Sequence, residues 1–108
     1  MSHVPAVTDD TFTTEVLASP LPVLVDFTAA WCPPCRMIAP VLESLAEEET
    51  DRLRIVTLDV DTNPRTQAAY HVLSMPTLIL FRDGEPLTQL VGARSKLRLR
   101  KELEDALR

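Results

Sequence analysis

The sequence predicts a single α/β domain: one mixed central β-sheet with helices on both faces. Two observations carry that prediction. Short, apolar, β-branched runs alternate with segments of helical periodicity, in the order helix, strand, helix, strand, helix, strand, strand, helix. The last two strands flank Asp83-Gly84, a tight-turn signal, so an antiparallel hairpin joins an arrangement whose other connections run through helices. The 108 residues carry no internal repeat, low-complexity tract or Gly/Ser linker. Residues 1–108 therefore read as one domain, long enough to bury a core without staples.

Each element has a local reason. Thr8 to Ser19 reads as a helix with Thr8 or Asp9 as cap, stopped before Ser19-Pro20, with Phe12, Val16 and Leu17 on one face. Val4 to Val7 is available as an edge strand ahead of it. Val23 to Phe27 is apolar on both faces apart from Asp26, the pattern of a buried central strand. A helix follows from about Pro34 to Glu49 and turns Ile38, Val41, Leu42 and Leu45 to the core. Pro40 removes one hydrogen bond from it and kinks it. Leu53 to Val60 is a second strand, and Asn63 caps a short helix with Pro64 in its first turn. Thr77 to Phe81 and Leu87 to Val91 form the hairpin. Ser95 caps a terminal helix whose Leu99, Leu103 and Leu107 recur every four residues.

Charge and targeting signals exclude several functions. A net charge of −5 denies the chain the cationic surface on which nucleic-acid affinity rests. The basic residues Arg94, Lys96, Arg98, Arg100 and Lys101 read as the solvated face of the terminal helix, with a docking patch for an acidic partner as the sharper alternative. Glu47-Glu48-Glu49 and Asp51 oppose the dipole of the helix they end and read as a solvated terminus. The N-terminus lacks the basic and apolar regions of a secretory signal. No apolar run approaches the roughly 18 residues of a membrane span. A cytoplasmic protein is expected, a setting in which static disulfides are rare.

The two cysteines, Cys32 and Cys35, exclude both a disulfide-rich scaffold and a complete four-cysteine zinc site. Residues three apart on a helix share a face at roughly 5 to 6 Å, a separation that lets the pair close and open with little backbone movement. Cys32 falls where a buried strand gives way to a helix. Backbone N–H groups and the positive end of the helix dipole favour a thiolate there, which makes Cys32 the expected nucleophile and Cys35 the resolving thiol. Pro33 and Pro34 fit the first helical turn, where a missing N–H costs little. The competing reading is half of a zinc site, which only His3 and His71 could complete. No metal is expected. Each histidine taken alone reads as a surface residue.

The stretch Val25-Asp26-Phe27-Thr28-Ala29-Ala30-Trp31-Cys32-Pro33-Pro34-Cys35-Arg36 resembles the active-site segment of thioredoxins. The resemblance continues through Pro40, Asp59-Val60-Asp61, Ser74-Met75-Pro76-Thr77, Phe81-Arg82-Asp83-Gly84 and Val91-Gly92-Ala93, in the family's order and over essentially the whole chain. It implies the thioredoxin fold and a redox disulfide Cys32–Cys35 that reduces protein disulfides. Asp26 would be buried beneath the site and would handle the proton of Cys35; an acid in an apolar strand has a raised pKa, as a relay near neutrality requires. Pro76 would be a cis-proline that leaves the backbone of Met75 free to pair with an extended substrate segment. Trp31, Met75, Pro76, Gly92 and Ala93 would form an apolar groove around Cys32, with Gly92 chosen for close backbone approach. The resemblance further implies a monomer with no bound cofactor. Its electrons would come from NADPH through a separate thioredoxin reductase, and its substrates would be disulfide-containing proteins.

Three departures bear on tuning. Pro33 stands where the family usually has glycine, which stiffens the first turn and leaves open a more oxidising dithiol oxidase or isomerase. Thr57 replaces the common lysine near the buried acid, so desolvation of Asp26 is less compensated. Thr28 replaces a usual tryptophan, which loosens packing beside the active-site loop. A reading from another class, a docking module that keeps the fold without the chemistry, is disfavoured by the presence of both cysteines, Asp26 and Pro76.

Overall fold

The apolar runs collect into one four-stranded sheet. The computed structural model describes residues 2–108. Its strands are β1 (Val23–Thr28), β2 (Arg54–Asp59), β3 (Thr77–Arg82) and β4 (Glu85–Val91), in spatial order β2-β1-β3-β4. β1 pairs parallel with β2 and antiparallel with β3, and β3 pairs antiparallel with β4. The strand predicted to be central is central, which is why its residues are apolar on both faces apart from Asp26. Asp83 and Gly84 both adopt positive φ, 54° and 80°, as a two-residue hairpin turn demands. The hairpin strand begins at Glu85, two residues earlier than expected, and a register shift near Phe81 accommodates Pro86, which cannot donate to the ladder.

Alternation along the strands divides the core into two layers. Val23, Val25 and Phe27 of β1 meet Val56, Leu58, Ile79 and Phe81, and this face is covered by Phe12, Val16 and Tyr70. The rings of Phe12, Tyr70 and Phe81 pack against one another with centroids 5.1 to 5.7 Å apart. Leu24, Leu78 and Leu80 point to the opposite face. There they meet Ile38, Leu42 and Leu45 of α1 (Pro33–Glu48) and Leu99 and Leu103 of α3 (Lys96–Leu107). Helices on both faces of a mixed sheet are thus observed, with α2 (Pro64–Ala69) beside the first layer.

Several local expectations need correction. The helix expected from Thr8 is only a short π-helical segment, Thr13–Leu17. Thr8 and Thr11 exchange backbone and side-chain hydrogen bonds in a turn instead. Asp9, expected to cap its own helix, caps α2: its carboxylate accepts from the backbone N–H of Arg65 and Thr66 at 3.1 and 2.9 Å and from the Thr66 hydroxyl at 2.7 Å. Asn63 occupies the N-cap position of α2 but makes no capping bond with its side chain. It accepts from the Asp9 N–H at 2.8 Å and donates to the Asp59 carbonyl at 3.0 Å, so the two residues have exchanged roles. The edge strand at Val4 to Val7 is reduced to one parallel bridge, Ala6 to Thr57.

The charged clusters are not simply solvated. Glu48, at the end of α1, takes the ammonium of Lys96 and, at 2.5 Å, the guanidinium of Arg100, and so ties α1 to α3. Arg94 is 5% exposed in its side chain and pairs with Glu102 at 2.8 Å. The basic residues expected to form a solvated helix face, with a docking patch as the alternative, are thereby engaged within the fold at Arg94, Lys96 and Arg100.

Candidate active site

Cys32 is the N-cap of α1, with extended backbone, and its sulfur accepts the Cys35 N–H at 3.2 Å. Pro33 and Pro34 occupy the first turn, where no N–H is required, and both are exposed. Cys32 and Cys35 form a disulfide with Cα atoms 5.3 Å apart, the separation that one helical turn supplies. Both are buried, at 2% and 4% exposure. When the pair is reduced, the helix N-terminus and the Cys35 N–H favour a thiolate on Cys32.

Asp26 lies on β1 at 5% exposure, and its Oδ1 has no hydrogen-bond partner. Burial among apolar neighbours pushes its carboxyl up to about 7. Thr57 stands opposite Asp26 in register, but its hydroxyl donates to the Asp26 backbone carbonyl at 3.4 Å and leaves the carboxyl unassisted. Asp26 and Cys35 border one cleft with Thr28 and Thr57 at its walls. Asp26 and Cys35 are both more than nine-tenths buried, at 5% and 4% exposure, on the border of this one cleft.

The groove residues converge from four segments. The Met75–Pro76 bond is cis, and the Met75 carbonyl lies 3.4 Å from the Cys32 sulfur. A disulfide sulfur has no proton to donate, so this is a close contact in the oxidised state and a hydrogen bond only for a thiol. Gly92 donates its N–H to the Pro76 carbonyl at 2.9 Å. Its φ is +97°, while a Cβ added there would meet nothing within 4 Å. Gly92 is thus required by backbone conformation and not, as expected, by crowding. Trp31 is 62% exposed and Val91 56% exposed, with Ala93 also on the surface.

Two residues missed in the sequence hold this groove. Asp61 accepts the Trp31 indole N–H at 2.9 Å and so restrains the exposed ring. Arg94 donates to the carbonyls of Val91 at 2.6 Å and Gly92 at 3.2 Å while bound to Glu102. No local pattern announces either contact, because both depend on pairing across the fold.

His3 and His71 lie apart from the cysteines in role: His3 donates its backbone N–H to Glu43 at 2.7 Å, and His71 is an exposed residue at φ 55°. Among the described residues no group of three histidines, cysteines or carboxylates is placed to hold a metal ion. Among the same residues no helix is long and apolar enough to cross a membrane.

Residues 3–105 match the family model described as Thioredoxin. A protein of Mycolicibacterium smegmatis named thioredoxin is 55% identical over 104 residues, spanning 94% of this chain and 93% of that protein. A thioredoxin of Mycobacterium tuberculosis is 54% identical over 101 residues, spanning 94% of this chain and 87% of its own. A Mycobacterium leprae protein named bifunctional thioredoxin reductase/thioredoxin is 50% identical over 101 residues, which cover 94% of this chain and 22% of that longer protein.

Proposed function

The chain belongs to the thioredoxin family and is a thiol–disulfide oxidoreductase that reduces protein disulfides, and from that premise we propose the roles of its residues and the source of its electrons. Cys32, as thiolate, attacks one sulfur of a substrate disulfide; a mixed disulfide forms and the first substrate thiolate leaves. Cys35 then gives its proton to Asp26 and attacks the Cys32 sulfur. The Cys32–Cys35 bond forms, the second substrate thiolate leaves, and two electrons have passed to the substrate. The unpartnered Oδ1 of buried Asp26, a residue that borders the same cleft as Cys35, is the observation that supports this assignment.

Met75, cis-Pro76, Trp31, Gly92 and Ala93 receive the substrate backbone next to Cys32, by addition of an extended segment. Pro33, Pro34 and Thr57 tune the couple. The oxidised pair is reset by two electrons from NADPH through a separate thioredoxin reductase, and the chain holds no cofactor of its own. A naturally fused reductase and thioredoxin in the Mycobacterium leprae relative supports that partner. The protein acts as a cytoplasmic monomer. The relatives favour neither a dithiol oxidase nor a docking module.

Insulin reduction tests the scheme, first with dithiothreitol and then with NADPH and a reductase. The wild type is expected to be active in both formats and Cys32→Ser in neither. Activity with dithiothreitol alone would exclude the reductase as donor. Turnover by Cys32→Ser would overturn the nucleophile.

A further inference from the structure

The cleft that reaches Asp26 is larger than a proton path requires. Its volume is about 510 Å³, within the range of sites that take small molecules. It opens between β1, β2, α1 and the N-terminal segment, and its apolar walls include Val4, Ala39 and Pro40. The titratable and charged groups that line it are Asp26 from β1, Asp59 from β2, and Cys35, Arg36 and Glu43 from α1. Three of the four charged groups are thus carboxyls.

The one cation on this wall does not serve them. Arg36 donates Nη1 to the Ala30 carbonyl at 2.8 Å, and among the described residues it forms no ion pair. Glu43 is engaged by the Ser2 hydroxyl and the His3 N–H, with His3 Nδ1 3.4 Å away. Asp59 accepts the Asp61 N–H at 2.9 Å. Among the described residues that line the cleft, Asp26 is nineteen-twentieths buried and its carboxyl Oδ1 has no hydrogen-bond partner. Thr57, opposite it in register, is too short to fill the space, and its hydroxyl is turned to the main chain.

We propose that this cleft binds a small alkylammonium ion, its N–H donors on the Asp26 carboxylate and its alkyl chain along Val4, Ala39 and Pro40. Charge selects the guest: an anion would face three carboxyls, and a neutral amide lacks the charge that Glu43 and Asp59 attract. Ionised Asp26 binds the guest more tightly than protonated Asp26 does, so occupancy and deprotonation favour each other by the same factor. Burial, which pushes the carboxyl up to about 7, is the penalty the guest relieves. An occupied cleft withdraws the base assigned to Cys35; that consequence rests on the mechanism above, whereas binding does not.

The test uses the oxidised, resting protein, so its failure and a failure of insulin reduction are separate results. Butylammonium chloride is titrated while carboxyl and amide resonances are followed by NMR, with tetramethylammonium chloride at equal ionic strength as control. Saturable shifts at Asp26, Thr57 and Ala39 are expected, with a roughly tenfold fall in the proton affinity of Asp26 at saturation. Butylammonium affinity should then fall about tenfold between pH 8.5 and pH 5. Asp26→Asn should weaken butylammonium binding about tenfold at pH 8.5 and remove its pH dependence, while its spectrum stays dispersed. Thr57→Lys, which tethers an ammonium opposite Asp26, should lower the proton affinity of Asp26 without added amine and remove the response. Equal shifts with tetramethylammonium, or butylammonium affinity undiminished in Asp26→Asn at pH 8.5, would overturn the proposal.

Discussion

A carboxyl on a central strand is tolerated only in the protonation state its surroundings permit. The unfolded Asp26 ionises near its ordinary value of 3.8, and the folded one is pushed up to about 7 by burial. Between these values the folded chain binds the extra proton. The stability this provides is complete below about pH 4 and is lost as pH rises through 7. Three pH units of displacement correspond to on the order of 4 kcal/mol. Asp26→Asn keeps the shape and removes the charge. It should therefore raise the unfolding free energy of the oxidised protein by on the order of 4 kcal/mol at pH 8 and change it little at pH 4. Urea titrations at the two pH values check this, and an equal gain at both would show that the charge is not the cause. Asp26 was legible in the sequence because an acid inside Val23–Phe27 has no solvent-facing side on which to sit. Its partner space was not legible, since the cleft is made by Ala39, Pro40 and Thr57 from two other elements.

At the scale of elements, sequence patterns read correctly wherever the controlling interaction is local. The apolar runs of β1 and β3, the proline-led start of α1, the Asp83-Gly84 turn and the Ser95 cap, which accepts the Arg98 N–H at 3.2 Å, all lie within a few residues of their cause. Where a side chain serves a distant element, local rules mislead. Asp9 satisfies the orphan donors of α2 from more than fifty residues away, so the cap signal before Phe12 attaches to the wrong helix. Asp9→Ala should lower the thermal midpoint by about 5 °C, with amide exchange quickened in α2 and not in Thr13–Leu17. Exchange quickened only in Thr13–Leu17 would return the cap to its neighbouring segment. Arg94 shows the same principle at the groove. Its guanidinium holds two carbonyls of the Val91–Gly92 segment and the Glu102 carboxylate at once, a task for a planar fork and not for a point charge. Arg94→Ala should cost about 2 kcal/mol of stability and raise KM for a protein substrate more than it changes kcat. Arg94→Lys should recover less than half of either loss, and full rescue by lysine would assign the effect to charge alone.

For the molecule as a whole, folding and redox state form one thermodynamic cycle. Closing the four-residue loop from Cys32 to Cys35 restricts the unfolded chain, while the folded chain already holds the two Cα atoms 5.3 Å apart. The loop-entropy relation assigns this closure about 2 kcal/mol in favour of the oxidised fold. The helix N-terminus acts in the other direction, because it stabilises the Cys32 thiolate in the reduced fold and not in the unfolded chain. The two terms set the potential of the couple relative to an unstructured dithiol. If loop closure outweighs the thiolate term, the oxidised protein unfolds at higher urea than the reduced one, and each 1.4 kcal/mol of difference makes the folded couple about 30 mV more reducing than the unfolded couple. We expect the oxidised form to be more stable at pH 5, where the thiolate contribution is small, by about 2 kcal/mol. The gap should narrow as pH rises and the reduced fold gains its thiolate. Urea unfolding of both forms across this range, with the potential measured on the same samples, checks the prediction: a gap that widens with pH would mean that the start of α1 does not favour the Cys32 anion.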